Sequence, residues 1–187
     1  MEYKTQSLTK YLNDLAAKLA TPGGGSAAAL SAAMGSGLIS MVINFTLGKP
    51  KYVKYEEELK LILNKTEKLR NEFLNLVDLD VLAYQSKDPR KAMDVVLMLS
   101  RLSCAGIKLL PGLIKKTNLN LISDLAVAAI FLESSFSAAC FNVEINLKII
   151  NDLKFARAVN KELRLNAKLV KQTRARMEES IGKIIRG

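Results

Sequence analysis

From Thr21 to Gly48 the chain carries no charged residue, and this stretch constrains the fold more than any other. It opens Thr21-Pro22-Gly23-Gly24-Gly25-Ser26, runs through alanine, turns to larger apolar residues and ends at Gly48-Lys49-Pro50. A helix without a polar face must be enclosed, either at the centre of a bundle or inside a bilayer. The middle of the stretch is Ala, Ser and Gly rather than Leu and Ile, no aromatic belt flanks it, and no second segment of the kind is visible. Those features favour the bundle. A helix is predicted over about 26–47, with Ser26 as N-cap and Ala28, Ala32 and Gly35 letting neighbouring backbones approach closely. The triple glycine reads either as a mobile elbow or as a loop whose main chain touches a ligand.

The flanking segments supply the bundle. Residues 4–20 carry Leu8, Leu12, Leu15 and Leu19, the spacing of an amphipathic helix whose leucine face is buried. From Tyr52 to about Ser86, Tyr55, Leu59, Ile62, Thr66, Leu69, Phe73, Leu76, Asp80 and Ala83 follow one another in steps of four and three, the period of coiled-coil packing. Asp80 therefore falls in an apolar seam, whereas Asp78 is rotated away and expected in solvent. A carboxylate in a seam loses hydration and its pKa rises unless donors or cations compensate. Asp80 is either a structural cap or ion-pair partner at a helix crossing, or a general acid/base.

Asp88-Pro89 is a helix start, Asp88 as N-cap and Pro89 at the first helical position, and that helix is predicted to run to about Cys104 or beyond. Ser123-Asp124 opens another long apolar helix, to about Asn151, on which Asn142 and Asn146 share a face. Asp124 precedes Asn142 by five turns, about 27 Å, so the two cannot serve one small reacting centre from the same chain. The last helix, residues 154–187, holds ten basic residues against three acidic ones. The expected architecture is all-α, a single domain over 1–187 built as a bundle of long antiparallel helices.

Charge and composition narrow the chemistry. Lys and Arg number 28 against 18 Asp and Glu, a net charge of +10, which points to an anionic partner: nucleic acid, a membrane surface or a small polyanion. Aromatics for base stacking are nearly absent from the basic segment, which argues against nucleic acid. With no histidine at all, a histidine acid/base is excluded and no metal site is expected, so proton chemistry falls to Asp, Glu, Lys, Tyr or Cys. Cys104 and Cys140 lack CxxC spacing and read as buried thiols of a reducing compartment. The N-terminus shows no apolar signal region, and a cytoplasmic location is expected. There is no Walker loop, no dinucleotide fingerprint and no nucleophilic serine motif.

Four motifs occur in order along the chain: Thr-Pro-Gly-Gly-Gly-Ser-Ala-Ala-Ala at 21–29, Leu-Val-Asp-Leu-Asp with Ala83-Tyr84 at 76–84, Ser-Asp-Leu-Ala-Val-Ala-Ala at 123–129, and Asn-Val-Glu-Ile-Asn-Leu at 142–147. Together they resemble the cyclodeaminase/cyclohydrolase family, the folate-handling domain of formiminotransferase-cyclodeaminase and of stand-alone bacterial cyclohydrolases. The resemblance implies an all-helical homodimer that binds a reduced folate without metal, cofactor or membrane. It implies a catalytic carboxyl at Asp80 and substrate binding by Gly23, Gly24, Gly25, Ser26, Ser123, Asp124, Asn142 and Asn146. The activity implied is formiminotetrahydrofolate cyclodeaminase or methenyltetrahydrofolate cyclohydrolase. One departure stands out: family members carry a longer segment after the carboxylate motif, whereas here Tyr84-Gln85-Ser86-Lys87-Asp88-Pro89 leads directly into the next helix. That shortening keeps open a non-catalytic folate- or anion-binding protein, and the basic helix keeps open a nucleic-acid binder.

Overall fold

The computed structural model describes residues 2–187. A 3-10 turn (Tyr3–Thr5) leads into α1 (Leu8–Ala16), followed by α2 (Gly24–Asn44), α3 (Glu56–Gln85), α4 (Pro89–Ile107), α5 (Ile122–Ile150) and α6 (Leu153–Arg186). No strand is present among the described residues.

The uncharged helix α2 is central, as its composition requires. It runs antiparallel to α3, with Ser26 bonded near Val77 at one end and Ser40 to Thr66 at the other. It also runs antiparallel to α5, and Gly35 of α2 lets Ala128, Phe131 and Leu132 of α5 approach closely where they cross. A Cβ on Gly35 would lie 3.2 Å from Phe131 Cβ and 3.3 Å from the Ala128 carbonyl. Gly106 of α4 clasps the same neighbour from the other side, its added Cβ falling 3.2 Å from Leu132. Leu132 is thus held between two glycines, and dispersion contacts of this density are what the alanine and glycine positions provide.

The α3 seam is realised: Leu59, Thr66, Phe73, Leu76 and Ala83 are buried and Asp80 is half-buried. At the helix end, Ser86, Lys87 and Asp88 form a three-residue turn in which Lys87 takes a left-handed φ of 55°. Asp88 then caps α4 by accepting from the Arg90 N–H at 2.9 Å. At the same end of the bundle Asp152 caps α6 by accepting from the Phe155 N–H, and Arg90 reaches across to pair with it at 3.0 Å.

Four expectations are corrected. The helix expected over 4–20 ends at Ala16, and its leucine face is not the buried one: Leu8, Leu12 and Leu19 are exposed while Tyr11 is enclosed. Ser26 does not cap α2; Gly23 stands at that position and Ser26 lies in the first turn. Asp78 is not in solvent: it is buried and accepts a hydrogen bond from the Tyr3 N–H. The uncharged stretch also has a counterpart, since α5 with the turn before it is long and apolar enough to cross a membrane. The two differ in cover, for 61% of the apolar window of α2 is buried in the bundle but only 39% of that of α5. The uncovered part of α5 is an outward stripe that includes Val127, Ile130, Phe141, Ile145 and Ile149.

Candidate active site

The first turn of α2 and the last turns of α3 meet at one end of the bundle. The α2 ladder begins with the Ala27 N–H donating to the Gly23 carbonyl at 3.0 Å, so the N–H groups of Gly24, Gly25 and Ser26 lie outside it. Asp80 takes one of them: Ser26 N–H donates to Asp80 Oδ2 at 2.9 Å. Positive φ is not what the glycines provide, because Gly23 is extended at φ −128° and Gly24 and Gly25 are helical. Space is. A Cβ on Gly25 would sit only 2.7 Å from the Asp80 carboxyl carbon and inside contact distance of Oδ1. One on Gly24 would lie 3.8 Å from the Asn142 amide nitrogen. The glycine turn is therefore a flat floor, with a carboxyl group from α3 and an amide from α5 resting against it.

The Ser26 hydroxyl fastens this floor to α3 by donating to the Val77 carbonyl at 3.0 Å, and the Tyr11 hydroxyl lies 3.0 Å from Ser26 Oγ. Burial pushes the Asp80 carboxyl above the ordinary carboxylate range, and the single Ser26 N–H pulls it partly back. Tyr11 is also raised, chiefly by burial; its bond to Ser26 opposes the shift and the charge of Asp80 adds to it. The phenol therefore stays protonated at neutral pH. A carboxyl group with a raised pKa, exposed on one side and backed by free main-chain N–H groups, is suited to give and take a proton.

Beyond Asp80 opens a groove of about 580 Å3 lined by Thr21, Ala83, Tyr84, Lys87, Asn146 and Ile149 among others. That volume is in the range of small-molecule sites. It holds Asn146, one turn along α5 from Asn142, and Lys87, a cation displayed by the short α3–α4 turn. A second groove of about 570 Å3 between α5 and α6 carries Glu144, Lys148 and Arg164.

The structure thus gathers Gly23, Gly24, Gly25, Ser26, Asp80, Asn142 and Asn146. It does not bring Ser123 and Asp124 to them within one chain: both lie in the first turn of α5, five turns or about 27 Å from Asn142. Neither is the N-cap, which is Leu121 with no side-chain cap bond. Asn142 bonds its own helix, donating to the Ala138 carbonyl at 2.9 Å. Sequence reasoning missed Tyr11 as part of this end, whereas the position of Lys87 in the short turn already marked it as a candidate cation. For Tyr11 a signal existed, since an aromatic hydroxyl amid an apolar helix stripe needs a polar partner once enclosed.

The sequence profile described as formiminotransferase-cyclodeaminase matches residues 7–88 and 85–165. The chain belongs to that family. The two matched stretches of this family member meet at the α3–α4 turn. It is 36% identical over 181 residues to a methenyltetrahydrofolate cyclohydrolase from Methylorubrum extorquens, covering 84% of this chain and 87% of that protein. It is 31% identical over 169 residues to the formimidoyltransferase-cyclodeaminase of Rattus norvegicus, of whose length the match spans 31%. The solved structure of formiminotetrahydrofolate cyclodeaminase from Thermotoga maritima superposes with a TM-score of 0.93, at 27% identity, over 98% of this chain and 100% of that one. The glycine turn and Asp80 of this family member thus sit in an all-helical fold shared with a cyclodeaminase.

Proposed function

We propose that this chain is a tetrahydrofolate one-carbon enzyme, a methenyltetrahydrofolate cyclohydrolase or formiminotetrahydrofolate cyclodeaminase, in which Asp80 moves the proton. The observation that carries this is the Asp80 carboxyl group, raised in pKa and seated on the glycine turn, one helical turn before Ala83 and Tyr84 of the open groove. In the hydrolase direction, water adds to the bridging methenyl carbon. Asp80 takes one proton of that water and returns it to the ring nitrogen as its bond to the carbon breaks, while the remaining hydroxyl proton passes to solvent as the formyl C=O forms. In the deaminase direction, N10 attacks the formimino carbon, Asp80 accepts its proton, and ammonia leaves carrying it. Both pass through a tetrahedral carbon, and both are served by one carboxyl group that is comfortable in either protonation state. The free N–H groups of Gly24 and Gly25 suit a carbonyl or carboxylate of the substrate, and Asn142 and Asn146 its polar edge. This chemistry calls for no cofactor or metal, and two free cysteines suit the cytoplasm.

The stripe on α5 supports a homodimer. Val127 and Phe141 are equidistant from Ser134 along the helix, so two copies of α5 packed antiparallel about Ser134 would match Val127 of each with Phe141 of the other. The same pairing sets the partner subunit's Asp124 opposite position 144, between Asn142 and Asn146, which would answer the 27 Å separation within one chain.

The test is direct. Purified protein is mixed with 5,10-methenyl-tetrahydrofolate and its near-ultraviolet band followed; separately, ammonia release from 5-formimino-tetrahydrofolate is measured. Activity in one assay assigns the reaction, and no turnover above background in either rejects the proposal.

A further inference from the structure

Asp80 is held by one hydrogen bond, and that bond has a second support. Ser26 Oγ has a single hydrogen, which goes to the Val77 carbonyl at 3.0 Å. The Tyr11 hydroxyl, 3.0 Å from the same oxygen, must therefore be the donor to it. Ser26 thus grips α3 twice, through Oγ at Val77 and through its N–H at Asp80, and Tyr11 fixes the direction of the first grip. Tyr11 is only 4% exposed and its ring meets Tyr3 edge-on, with centroids 5.4 Å apart. Tyr3 in turn hangs on Asp78 by its N–H and on Asp14 by its hydroxyl. The segment before α2 is consequently a strap that lies over the glycine turn.

We infer that Tyr11 is a positioning residue for Asp80, acting through Ser26: its hydroxyl keeps the first turn of α2 at the angle that aims the Ser26 N–H at the carboxylate. This rests on the reading of Asp80 as the reacting carboxyl group. The groups around Asp80 make the effect separable. Tyr11 faces it from α1 and uncharged Ser26 from α2, the neutral Asn142 amide of α5 lies against the adjoining Gly24, and Asp78 of α3 is turned to Tyr3. Tyr11→Phe deletes one oxygen, frees the Ser26 hydroxyl to rotate, and slackens the sole donor that favours the Asp80 anion. The titration of Asp80 then moves to higher pH.

The experiment follows the Asp80 side-chain carboxyl carbon by NMR as pH is varied, in protein without substrate, with its signal assigned by loss in Asp80→Asn. Tyr11→Phe is expected to shift that titration upward and to lower kcat by roughly ten- to a hundredfold with KM little changed. Tyr3→Phe, which removes the other buried hydroxyl of the strap, is expected to leave it in place. A Tyr11→Phe protein that melts earlier but titrates as the parent does, or a Tyr3→Phe protein that shifts equally, overturns the inference. Should Tyr11→Phe not fold, amide exchange in the parent protein decides: Ser26 must exchange more slowly than Gly24 and Gly25, and equal rates overturn it. A shifted titration in a protein that turns over no folate would sustain the positioning role and reject the enzymatic reading alone.

Discussion

Replacing Gly25 with alanine asks whether the glycine turn exists to let Asp80 in. The new Cβ would stand 2.7 Å from the Asp80 carboxyl carbon and 3.0 Å from Oδ2. Carbon atoms rest at about 3.5–4.0 Å, so the carboxyl group must retreat by about 1 Å. Asp80 has a short side chain on a packed helix and cannot swing clear, and a 1 Å retreat breaks its 2.9 Å bond from the Ser26 N–H. Overpacking costs about 1–3 kcal/mol and loss of a hydrogen bond to a charged group a similar amount, against a helix-propensity gain of at most about 1 kcal/mol. The sum, a net loss of about 1–5 kcal/mol, corresponds to a drop in Tm of roughly 2–20 °C for a domain of this size. Activity should fall further, by about a hundredfold, because the reacting group itself has moved. The controls lie next door. A Cβ on Gly24 reaches Asn142 only at 3.8 Å and one on Gly23 meets nothing within 4 Å, so alanine at either should keep the fold. Thermal melts by circular dichroism and the methenyl-tetrahydrofolate assay read both effects. Parental stability and turnover in Gly25→Ala would refute the reasoning.

Asp80→Asn should lower kcat by about 10²–10⁴-fold, the usual worth of a general acid/base, as measured at saturating substrate. Its stability has a definite pH signature. Because the folded pKa of Asp80 is raised, its contribution is complete below the unfolded carboxylate pKa and is lost as pH rises through the folded value. The asparagine variant should therefore melt above the parent at pH 7, with the difference closing in acid. Gly35→Ala should destabilise the fold by about 1–3 kcal/mol while leaving kcat unchanged, since its Cβ meets the Ala128 carbonyl and Phe131 Cβ far from the site. Urea titration and steady-state kinetics separate the two. Phe141→Asp should convert the proposed dimer to monomer in sedimentation without lowering helix content, because 74% of Phe141 is exposed in the single chain.

Periodicity made the α3 seam and the place of Asp80 within it readable, because a four-and-three repeat over so long a helix has few packings. The charge-free composition likewise put α2 at the centre. What failed were local readings at residues whose partners are distant in sequence. Gly25 read as part of an elbow or a ligand loop, and not as the space that admits Asp80, because that carboxyl group is far along the chain. Ser26 looked like a cap because serine before an alanine run usually is one, yet its hydroxyl serves Val77. Asp78 was placed in solvent by helix geometry alone, which cannot foresee a strap from the N-terminus closing over it. The leucines of α1 misled in the opposite sense: their period is real, but the bundle covers Tyr11 instead.

The three-residue turn between α3 and α4 bears on how the site is emptied. Many enzymes fold a lid over their substrate and then wait for it to reopen, so that product release limits turnover. Here the chain passes from one helix to the next with every residue engaged: Ser86 donates to the Ala83 carbonyl and accepts from the Asp88 N–H, and Asp88 is spent on capping α4. No slack remains to close over the groove. With Asp80 as the proton carrier, kcat is expected to fall in deuterated solvent and to be insensitive to added viscosogen.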